Sequence, residues 1–319
     1  MHRFRDWLTG ACAMLAFTVL IAATLPRYVP QYTPISSISR MLDSLAPWIL
    51  VVFFLIVVFL FVLRALRHGI VFLLLGVLSG GNTYLDHHAL SLPSVPDADP
   101  ELRVLFFNVF NNNAAFADRI ATRVLEMDPD VIAFAEGRGM YPAIRRLEQR
   151  YQRLTDCGFQ DCQLLIYSKI GPRRAWTLNL NIFADGRYAV LELPSPTDRP
   201  RFVVFNHLVK AWMEGVTESE LARLASQYDW LAGDVVALGD FNAAPWAHHI
   251  QGLLRKTGFR AQRKPVGTWP SALGALGVPI DQVLVHGRTR IVSAKPFGAG
   301  LGSNHRGLIV DLAYPAPES

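Results

Sequence analysis

Polar residues stand at the ends of several apolar runs in this sequence, at positions where a buried strand does not require them. These residues are Asn108, Glu136, His207, Asp240, Asn242, Asp281, Asn304 and His305. Ligand sites in α/β proteins gather at the ends of strands. Carboxylates, amides and imidazoles that share one such edge are the groups of a metal-assisted phosphate site. The order of these residues therefore predicts a site of that kind.

Taken singly, each of these residues has a more ordinary explanation. A glutamate after a strand, such as Glu136, is commonly a solvated loop residue. The Gly239-Asp240 pair is typical of a turn, and His207 alone is typical of a hydrogen-bonded structural histidine. Only the complete ordered set favours a catalytic interpretation.

The elements that would position these side chains alternate between strand and helix early in the domain. Apolar, β-rich runs predict strands over residues 102–108, 131–136, 164–168, 188–193, 202–207, 235–238, 282–285, 290–294 and 308–312. Helical spacing predicts helices over 116–127 and 141–153. A capping box of Thr217 and Glu220 predicts a third helix that ends near residue 231. This pattern predicts a mixed α/β layered domain.

The composition excludes two broad classes of protein. The chain has 319 residues, of which 51% are hydrophobic and 18% are charged. These values argue against a disordered chain and against a plain soluble enzyme. The three cysteines cannot form a disulfide scaffold. No glycine-rich phosphate loop follows a predicted strand, so no nucleotide cofactor of the Rossmann or P-loop kind is expected.

The first 90 residues predict a membrane anchor with two to three transmembrane helices, at about 7–25, 45–63 and 69–85. Two uncharged runs of roughly 20 residues match a bilayer core of about 30 Å. For the first run a cleaved signal peptide is the alternative, and for the third an interfacial or re-entrant segment. Residues 91–100 contain three prolines and predict a linker. Residues 101–319 predict the catalytic domain.

Basic residues indicate the membrane topology. Arg3 and Arg5 precede the first span, and Arg64, Arg67 and His68 lie between the second and the third. Because positive segments stay on the cytoplasmic side, three spans place the large domain outside the cytoplasm, and two spans place it inside.

The ordered set resembles the endonuclease/exonuclease/phosphatase superfamily, which includes deoxyribonuclease I-like nucleases, sphingomyelinases and inositol phosphatases. The resemblance covers about residues 101–313. Its most specific motif is Gly239-Asp240-Phe241-Asn242-Ala243. The other matching pieces are Phe107-Asn108, Asp128-Pro129-Asp130 leading to Ala135-Glu136, Asn206-His207-Leu208, Thr268-Trp269-Pro270, Ile280-Asp281-Gln282-Val283 and Ser303-Asn304-His305-Arg306. A chain with membrane spans ahead of such a domain resembles a bacterial subgroup of this superfamily. Its members would be anchored in the inner membrane with the catalytic domain on the periplasmic side.

The resemblance implies a four-layer α/β sandwich, in which two packed β-sheets are flanked by helices. It also implies metal-dependent in-line attack of water on a phosphate ester. In that scheme Glu136 would hold Mg²⁺ or Mn²⁺, with Asn108 and Asn304 as further metal ligands. Asp240 would position or deprotonate the water.

The resemblance assigns phosphate binding to several of the same side chains. His207 and His305 would contact the phosphoryl oxygens, together with Asn108 and Asn242. Asp281 would fix the tautomer of His305 and raise its pKa.

One position departs from the family pattern. The family usually has Asp before the last histidine, where this chain has Asn304. The alternative to an active enzyme is therefore a catalytically weakened, membrane-tethered binding module on the same fold. The substrate stays open among nucleic acid, phospholipid and small phosphodiesters, and the oligomeric state is not predicted.

Three smaller features have more than one interpretation. Cys157 and Cys162 form either a small disulfide or two free thiols. Trp212 and Trp246 stack on a base, contact a lipid or pack within the fold. The histidine pairs at 87–88 and 248–249 are interpreted as solvated.

Overall fold

A computed structural model describes residues 2–30, 32–155, 163–180 and 186–315 of the chain. Cys157 and Cys162 lie outside the described residues.

Three long helices open the chain: α1 (His2–Thr24), α2 (Ser36–Val62) and α3 (Leu66–Ala89). All three are long and apolar enough to cross a membrane. The sequence did not decide whether the third apolar segment crosses the membrane or lies at its surface. In the structure this segment is α3, a continuous helix of 24 residues that the polar stretch Ser79–Thr83 does not interrupt. At 1.5 Å per residue this helix is about 36 Å long, which exceeds a bilayer core of about 30 Å.

Two mixed sheets follow the helices. The first sheet contains, in spatial order, β1 (Ser91–Leu92), β10 (Arg260–Gln262), β11 (Asp281–His286), β9 (Asp234–Asp240), β8 (Arg201–His207), β7 (Tyr188–Leu193) and β6 (Arg174–Leu178). The second contains β12 (Arg290–Phe297), β13 (Gly307–Ala313), β2 (Leu102–Asn108), β3 (Val131–Ala135), β5 (Leu164–Ser168) and β4 (Gln152–Arg153). The β8–β9 and β2–β3 pairs are parallel and neighbour antiparallel strands.

Alternation along the strands builds the layers. In β2, Val104 and Phe106 point into the core between the sheets, whereas Leu105 and Phe107 point to the outer face. Helices cover both outer faces: α4 (Ala117–Met127) and α5 (Ile144–Glu148) on the second sheet, α6 (Val216–Asp229) and α7 (His248–Thr257) on the first. The predicted four-layer sandwich is confirmed.

Two predictions about helices are wrong. The helix expected over 141–153 is short, because Pro142 lies in a 3₁₀ segment and α5 begins only at Ile144. The capping box is also absent. α6 begins after Gly215, Thr217 donates a hydrogen bond to the carbonyl of Met213, and Glu220 accepts one from the backbone N–H of Val209.

The elements missing from the sequence prediction are mostly short or at an edge. They are β1, β4, β6, β10 and α7. Ser91 and Leu92, at the start of the predicted linker, pair with Ala261 and Gln262 at the edge of the first sheet. Such strands carry too few residues for a periodic signal.

Asp234 anchors the start of β9 and supports the first stability prediction. Its buried carboxylate accepts hydrogen bonds from Arg199 Nε (2.6 Å) and from the backbone and Nη2 of Arg288 (2.9 and 3.0 Å). Burial alone would raise the pKa of Asp234, but these hydrogen bonds outweigh it and lower the pKa. Asp234→Asn is expected to lower the free energy of unfolding by about 2 kcal/mol at neutral pH.

The sign of the pH dependence follows from the lowered pKa. Asp234 stabilises the fold above the pKa of an unfolded aspartate, about 3.9, and this contribution is lost as the pH falls through its folded pKa. Urea unfolding of the full chain in detergent should therefore show a difference at pH 7 that shrinks below about pH 4. Asp229→Asn, an exposed change on α6, is the matched control. An equal loss in both variants would contradict the prediction.

Candidate active site

Strand register brings three of the predicted residues into one row. In the first sheet His207 pairs with Asp240 across the parallel β8–β9 ladder, and Asp281 pairs with Asp240 across the antiparallel β9–β11 ladder. All three are buried. The backbones of β8 and β9 approach each other closely at this point. A Cβ atom on Gly239 would collide with the carbonyl oxygen of Asn206, so a residue without a side chain is required there.

Asn108 connects this row to the second sheet. Its Nδ2 donates to Asp240 Oδ2 at 3.0 Å and lies 3.4 Å from Glu136 Oε1. Its Oδ1 accepts the backbone N–H of Phe110 at 3.2 Å, which fixes the amide with its hydrogen atoms toward the carboxylates. This orientation favours Asn108 as a hydrogen-bond donor to the carboxylates. The resemblance implied a different role, in which the amide oxygen of Asn108 is a ligand of the metal ion.

Glu136 follows β3 in a left-handed backbone conformation, with φ of 51°. Such conformations are uncommon outside glycine and cluster at functional sites. Its Oε2 accepts the backbone N–H of Asn111 at 3.2 Å, and the residue is only partly buried. Glu136 therefore presents a carboxylate at the edge of the buried row.

Asp240 lies close to two imidazoles. Its Oδ2 is 4.0 Å from Nε2 of His207 and 3.8 Å from Nε2 of His305. Both distances exceed a direct hydrogen bond, so a water or phosphate oxygen that contacts both groups has to lie beside them, off the line that joins them.

His305 is held by Asp281 and Ser303. Its Nδ1 lies 2.9 Å from Asp281 Oδ2, and its backbone N–H donates to Ser303 Oγ at 3.0 Å. Burial alone would lower the pKa of His305, but the charges of Asp281 and Asp240 raise it to about 9. His305 is therefore protonated at neutral pH, with its Nε2–H directed away from Asp281.

The other two titratable groups shift because they are buried. Burial, aided by the charge of Asp281, raises the pKa of Asp240 to about 7. Burial and the neighbouring charges of Arg187 and His305 lower the pKa of His207 well below its usual value. The site thus combines a neutral histidine, a charged histidine and a carboxyl group that titrates near neutral pH.

Asn242 and Asn304 differ in their positions. Asn242 adopts a left-handed conformation, donates its backbone N–H to Asp240 Oδ1 (2.9 Å) and donates Nδ2 to the carbonyl of Leu208 (2.8 Å). It therefore joins the turn after β9 to the loop after β8. Asn304 is exposed, and its carbonyl accepts the backbone N–H of Ser271 at 2.7 Å. The structure does not bring Asn304 into the buried row.

The sequence assigned no role to two residues beside the site: Arg187, which belongs to no motif, and Ser303, which lies in a matching piece. Arg187 donates Nη1 to the carbonyl of His207 at 2.9 Å, and Glu220, Asp240 and Glu136 lie close enough to act on its charge. Ser303 Oγ donates to the carbonyl of Asn108 at 2.7 Å. Arg187 precedes β7, and only the β7–β8 register places it beside His207.

The sequence predicted that both histidine pairs, 87–88 and 248–249, lie on solvated surfaces. This prediction is wrong for one histidine of each pair. His87 and His249 are 8% and 7% exposed. His87 Nε2 lies 3.2 Å from the carbonyl of Arg263, and the ring meets Trp246 edge to face. Tertiary packing of α3 and α7 buries these side chains.

Asp240, Asp281 and His305 offer ligand atoms within 4.8 Å of one another and are the described acidic and histidine groups that could hold a metal ion. Within this group His305 and Asp281 are already hydrogen-bonded to each other. Oδ1 of Asp281 is buried and has no hydrogen-bond partner among the described residues.

Residues 105–305 match the Endonuclease/Exonuclease/phosphatase family. The match spans more than half of the chain, so this protein belongs to the endonuclease/exonuclease/phosphatase family, whose members hydrolyse phosphate esters and depend on divalent metal ions. The resemblance inferred from the motifs is confirmed. No curated protein sequence is similar enough to this chain to count as a relative.

Solved structures share the fold at low sequence identity. Danio rerio TDP2 in complex with a single-stranded DNA product superposes with a TM-score of 0.54 at 13% identity, over 66% of this chain and 98% of the chain in that structure. The endonuclease/exonuclease/phosphatase from Bacteroides vulgatus gives 0.54 at 15% identity, over 67% and 99%. The mannosyl-6-phosphatase of Bacteroides thetaiotaomicron gives 0.53 at 12%, over 67% and 100%. These likenesses concern the fold alone.

Proposed function

We propose that this protein is a membrane-anchored, divalent-metal-dependent phosphodiesterase that cleaves its substrate by in-line attack of water. The observation that carries the proposal is the approach of Asp240 Oδ2 to the Nε2 atoms of both His207 and His305, at 4.0 and 3.8 Å. A phosphoryl group bound beside these three side chains contacts two imidazoles and a carboxylate.

Each side chain then has one task. Asp240 accepts the proton of the attacking water. His305, charged and held by Asp281, donates Nε2–H to a phosphoryl oxygen as negative charge builds there. Neutral His207 donates a second hydrogen bond, and Asn108 directs its amide hydrogens toward the carboxylates of Asp240 and Glu136.

The site suits a hard divalent cation. Glu136 offers a partly exposed carboxylate at the end of β3, and the unpartnered Oδ1 of Asp281 adds negative charge nearby. Mg²⁺ and Mn²⁺ prefer oxygen ligands of this type. A cation held by Glu136 would neutralise charge on the phosphoryl oxygens.

The domain organisation follows from the same proposal. Residues 1–90 anchor the enzyme through α1 to α3, and residues 101–319 form the catalytic domain. Three crossings place Arg3, Arg5 and the basic 64–68 segment on the cytoplasmic side and the active site on the other. In a bacterium this is the periplasmic side of the inner membrane.

Metal binding through Glu136 gives a direct test. Glu136→Gln keeps the shape of the side chain but removes its charge, and it is expected to weaken Mn²⁺ binding by about 100-fold. Calorimetric titration of the full chain in detergent measures the affinity. Hydrolysis of bis(p-nitrophenyl) phosphate with added Mg²⁺ or Mn²⁺, and its loss with EDTA, measures the activity.

Glu148→Gln on the exposed end of α5 is the control. Equal Mn²⁺ affinity in the two variants would remove Glu136 from the metal site.

The second candidate function, a binding module without catalysis, is motivated by Asn304. An absence of Mg²⁺ and Mn²⁺ binding at millimolar concentration in the same titration would favour it.

A further inference from the structure

Helix α2 is longer than a bilayer requires, so part of it extends beyond any bilayer that it crosses upright. Its 27 residues extend about 40 Å, against a bilayer core of about 30 Å. Five of the six polar residues of its first part, residues 36–44, are buried: Ser36, Ser39, Arg40, Asp43 and Ser44. Buried polar groups require partners, and several of these partners belong to the proposed catalytic domain.

Three loops around the active site bind this part of α2. They are residues 208–215 after His207, 243–248 after Asn242, and 268–278 before Asp281, and together they are named the rim loops. Arg40 Nε donates to the carbonyl of Ala211 at 2.7 Å, in the first rim loop. Arg40 also forms an ion pair with Glu218 at the start of α6.

The second and third rim loops bind α2 further along. Ser44 Oγ accepts the backbone N–H of Ala244 at 3.2 Å, and the carbonyl of Ser44 accepts Trp246 Nε1 at 3.1 Å. Trp48 Nε1 donates to the carbonyl of Leu276 at 2.9 Å. The helix that enters the membrane thus holds all three rim loops directly.

Length and hydropathy would place the surface of a membrane crossed by α2 close to Trp48. Asp43 is the last charged residue of α2, and the uncharged remainder, residues 44–62, extends about 28 Å, nearly the full bilayer core. Tryptophan prefers the membrane–water interface. The Arg27–Asp86 ion pair joins the ends of α1 and α3 on the same side. Leu276, whose carbonyl accepts Trp48 Nε1, would then lie within about one helical turn of that surface.

The rim loops expose apolar side chains at this level. Beyond residue 100, the large apolar side chains that the structure describes as exposed are Phe110, Leu178, Trp212, Trp230, Trp269, Leu273 and Leu276. Four of the seven belong to the rim loops, and Leu276 and Leu273 are 69% and 52% exposed. Exposed apolar side chains next to a membrane segment indicate contact with lipid.

The same loops hold the catalytic residues. Ser271 donates its backbone N–H to the carbonyl of Asn304 and its Oγ to the carbonyl of Ser303. Ile280, which directly precedes Asp281, packs in one cluster with Leu45 and Trp48 of α2. The phosphate site and the membrane surface therefore share one rigid support.

We propose that the substrate is the phosphodiester of a membrane phospholipid, taken from the leaflet on which the rim loops rest. This inference rests on the proposed function. The oxygen of water bonds to phosphorus, the bond from phosphorus to one ester oxygen breaks, and a proton of the water ends on that oxygen, which gives a phosphate monoester and an alcohol. Lys210, whose ammonium lies over the Trp212 ring, and Arg187 supply positive charge near the anionic headgroup.

The test compares lipid and soluble substrates in one preparation. Full-length protein is reconstituted with Mn²⁺ in vesicles of phosphatidylethanolamine, phosphatidylglycerol and cardiolipin, and phosphate monoester release is followed by ³¹P NMR. Hydrolysis of bis(p-nitrophenyl) phosphate is measured in parallel. Lipid cleavage is expected. The double variant Leu273→Glu, Leu276→Glu is expected to lower lipid cleavage by about 10-fold, because glutamate opposes contact with the bilayer, and to leave the soluble reaction unchanged.

Trp230→Glu is the matched control, since Trp230 is exposed near the opposite end of β9 and should affect neither reaction. Cleavage of the soluble diester without any lipid cleavage overturns the lipid proposal and leaves the phosphodiesterase proposal intact. Failure of both reactions overturns both proposals. A double variant that loses both reactions equally also contradicts the assignment, because it places the leucines in the fold and not at the lipid surface.

A depth measurement gives a second readout that needs no activity. Leu276→Cys and Trp230→Cys are each labelled with bimane in a chain whose three native cysteines are replaced by serine. Nitroxide-labelled lipids should quench the label at position 276 strongly and the label at 230 weakly. Equal quenching at the two positions would overturn the proposed contact.

Discussion

Asp240→Asn is expected to lower kcat for phosphodiester hydrolysis by about 1,000-fold, the scale of a lost general base. The amide keeps the shape of the side chain but cannot accept the proton of the attacking water. The hydrogen bond from the backbone of Asn242 can persist on the amide oxygen, so the turn after β9 should keep its position. Steady-state hydrolysis of bis(p-nitrophenyl) phosphate by the full chain in detergent measures the effect.

The stability of the same variant should change in the opposite direction. The pKa of Asp240 is raised by burial, so its ionised form opposes folding near neutral pH. Asp240→Asn removes this cost, and without added metal its urea midpoint should equal or exceed that of the parent chain. Loss of activity together with loss of stability would indicate a structural role for Asp240. Asp229→Asn controls for the change in net charge.

The His305–Asp281 pair gives the second large effect. His305→Ala removes a charged donor aimed at the phosphoryl oxygens and is expected to lower kcat by about 1,000-fold. Asp281→Asn should cost less, about 100-fold, because the imidazole remains but loses the carboxylate that holds its proton and orientation. The kinetics of both variants and of the double variant measure these effects.

Residues that act as a unit are not additive. The double variant His305→Ala, Asp281→Asn should therefore be no slower than His305→Ala alone. Independent, multiplicative losses would show that Asp281 acts through a route other than His305. Asp198→Asn, in an exposed turn before β8, supplies a matched carboxylate control.

Much of the site could be predicted because its signal is local. Asp240, Asp281 and His207 are polar residues at the ends of apolar strands, and strand ends converge once the strands pair in register. The motif around Asp240 was specific enough to indicate the family, and the family in turn implied the sandwich. Glu136 was predicted in the same way, and its left-handed backbone was not.

The side-chain hydrogen bonds around the site did not follow from residue type. Asn108 was assigned to the metal by type, and this role stays a prediction; in the structure its amide oxygen accepts the N–H of Phe110. Arg187 has no motif, and the β7–β8 pairing alone brings it beside His207. The capping box at Thr217 failed because Glu220 binds the backbone of Val209 in the loop after β8.

The sequence by itself determined the apolar helices, the alternation of strands and the identities of the polar groups at the strand ends, because composition and periodicity act within short segments. Only the tertiary structure decided how those groups face one another and that α2 holds the loops around them. Arg40, Asp43 and Trp48 bind residues more than 150 positions away in the chain. Such contacts depend on the packing of the whole molecule, which no local pattern encodes.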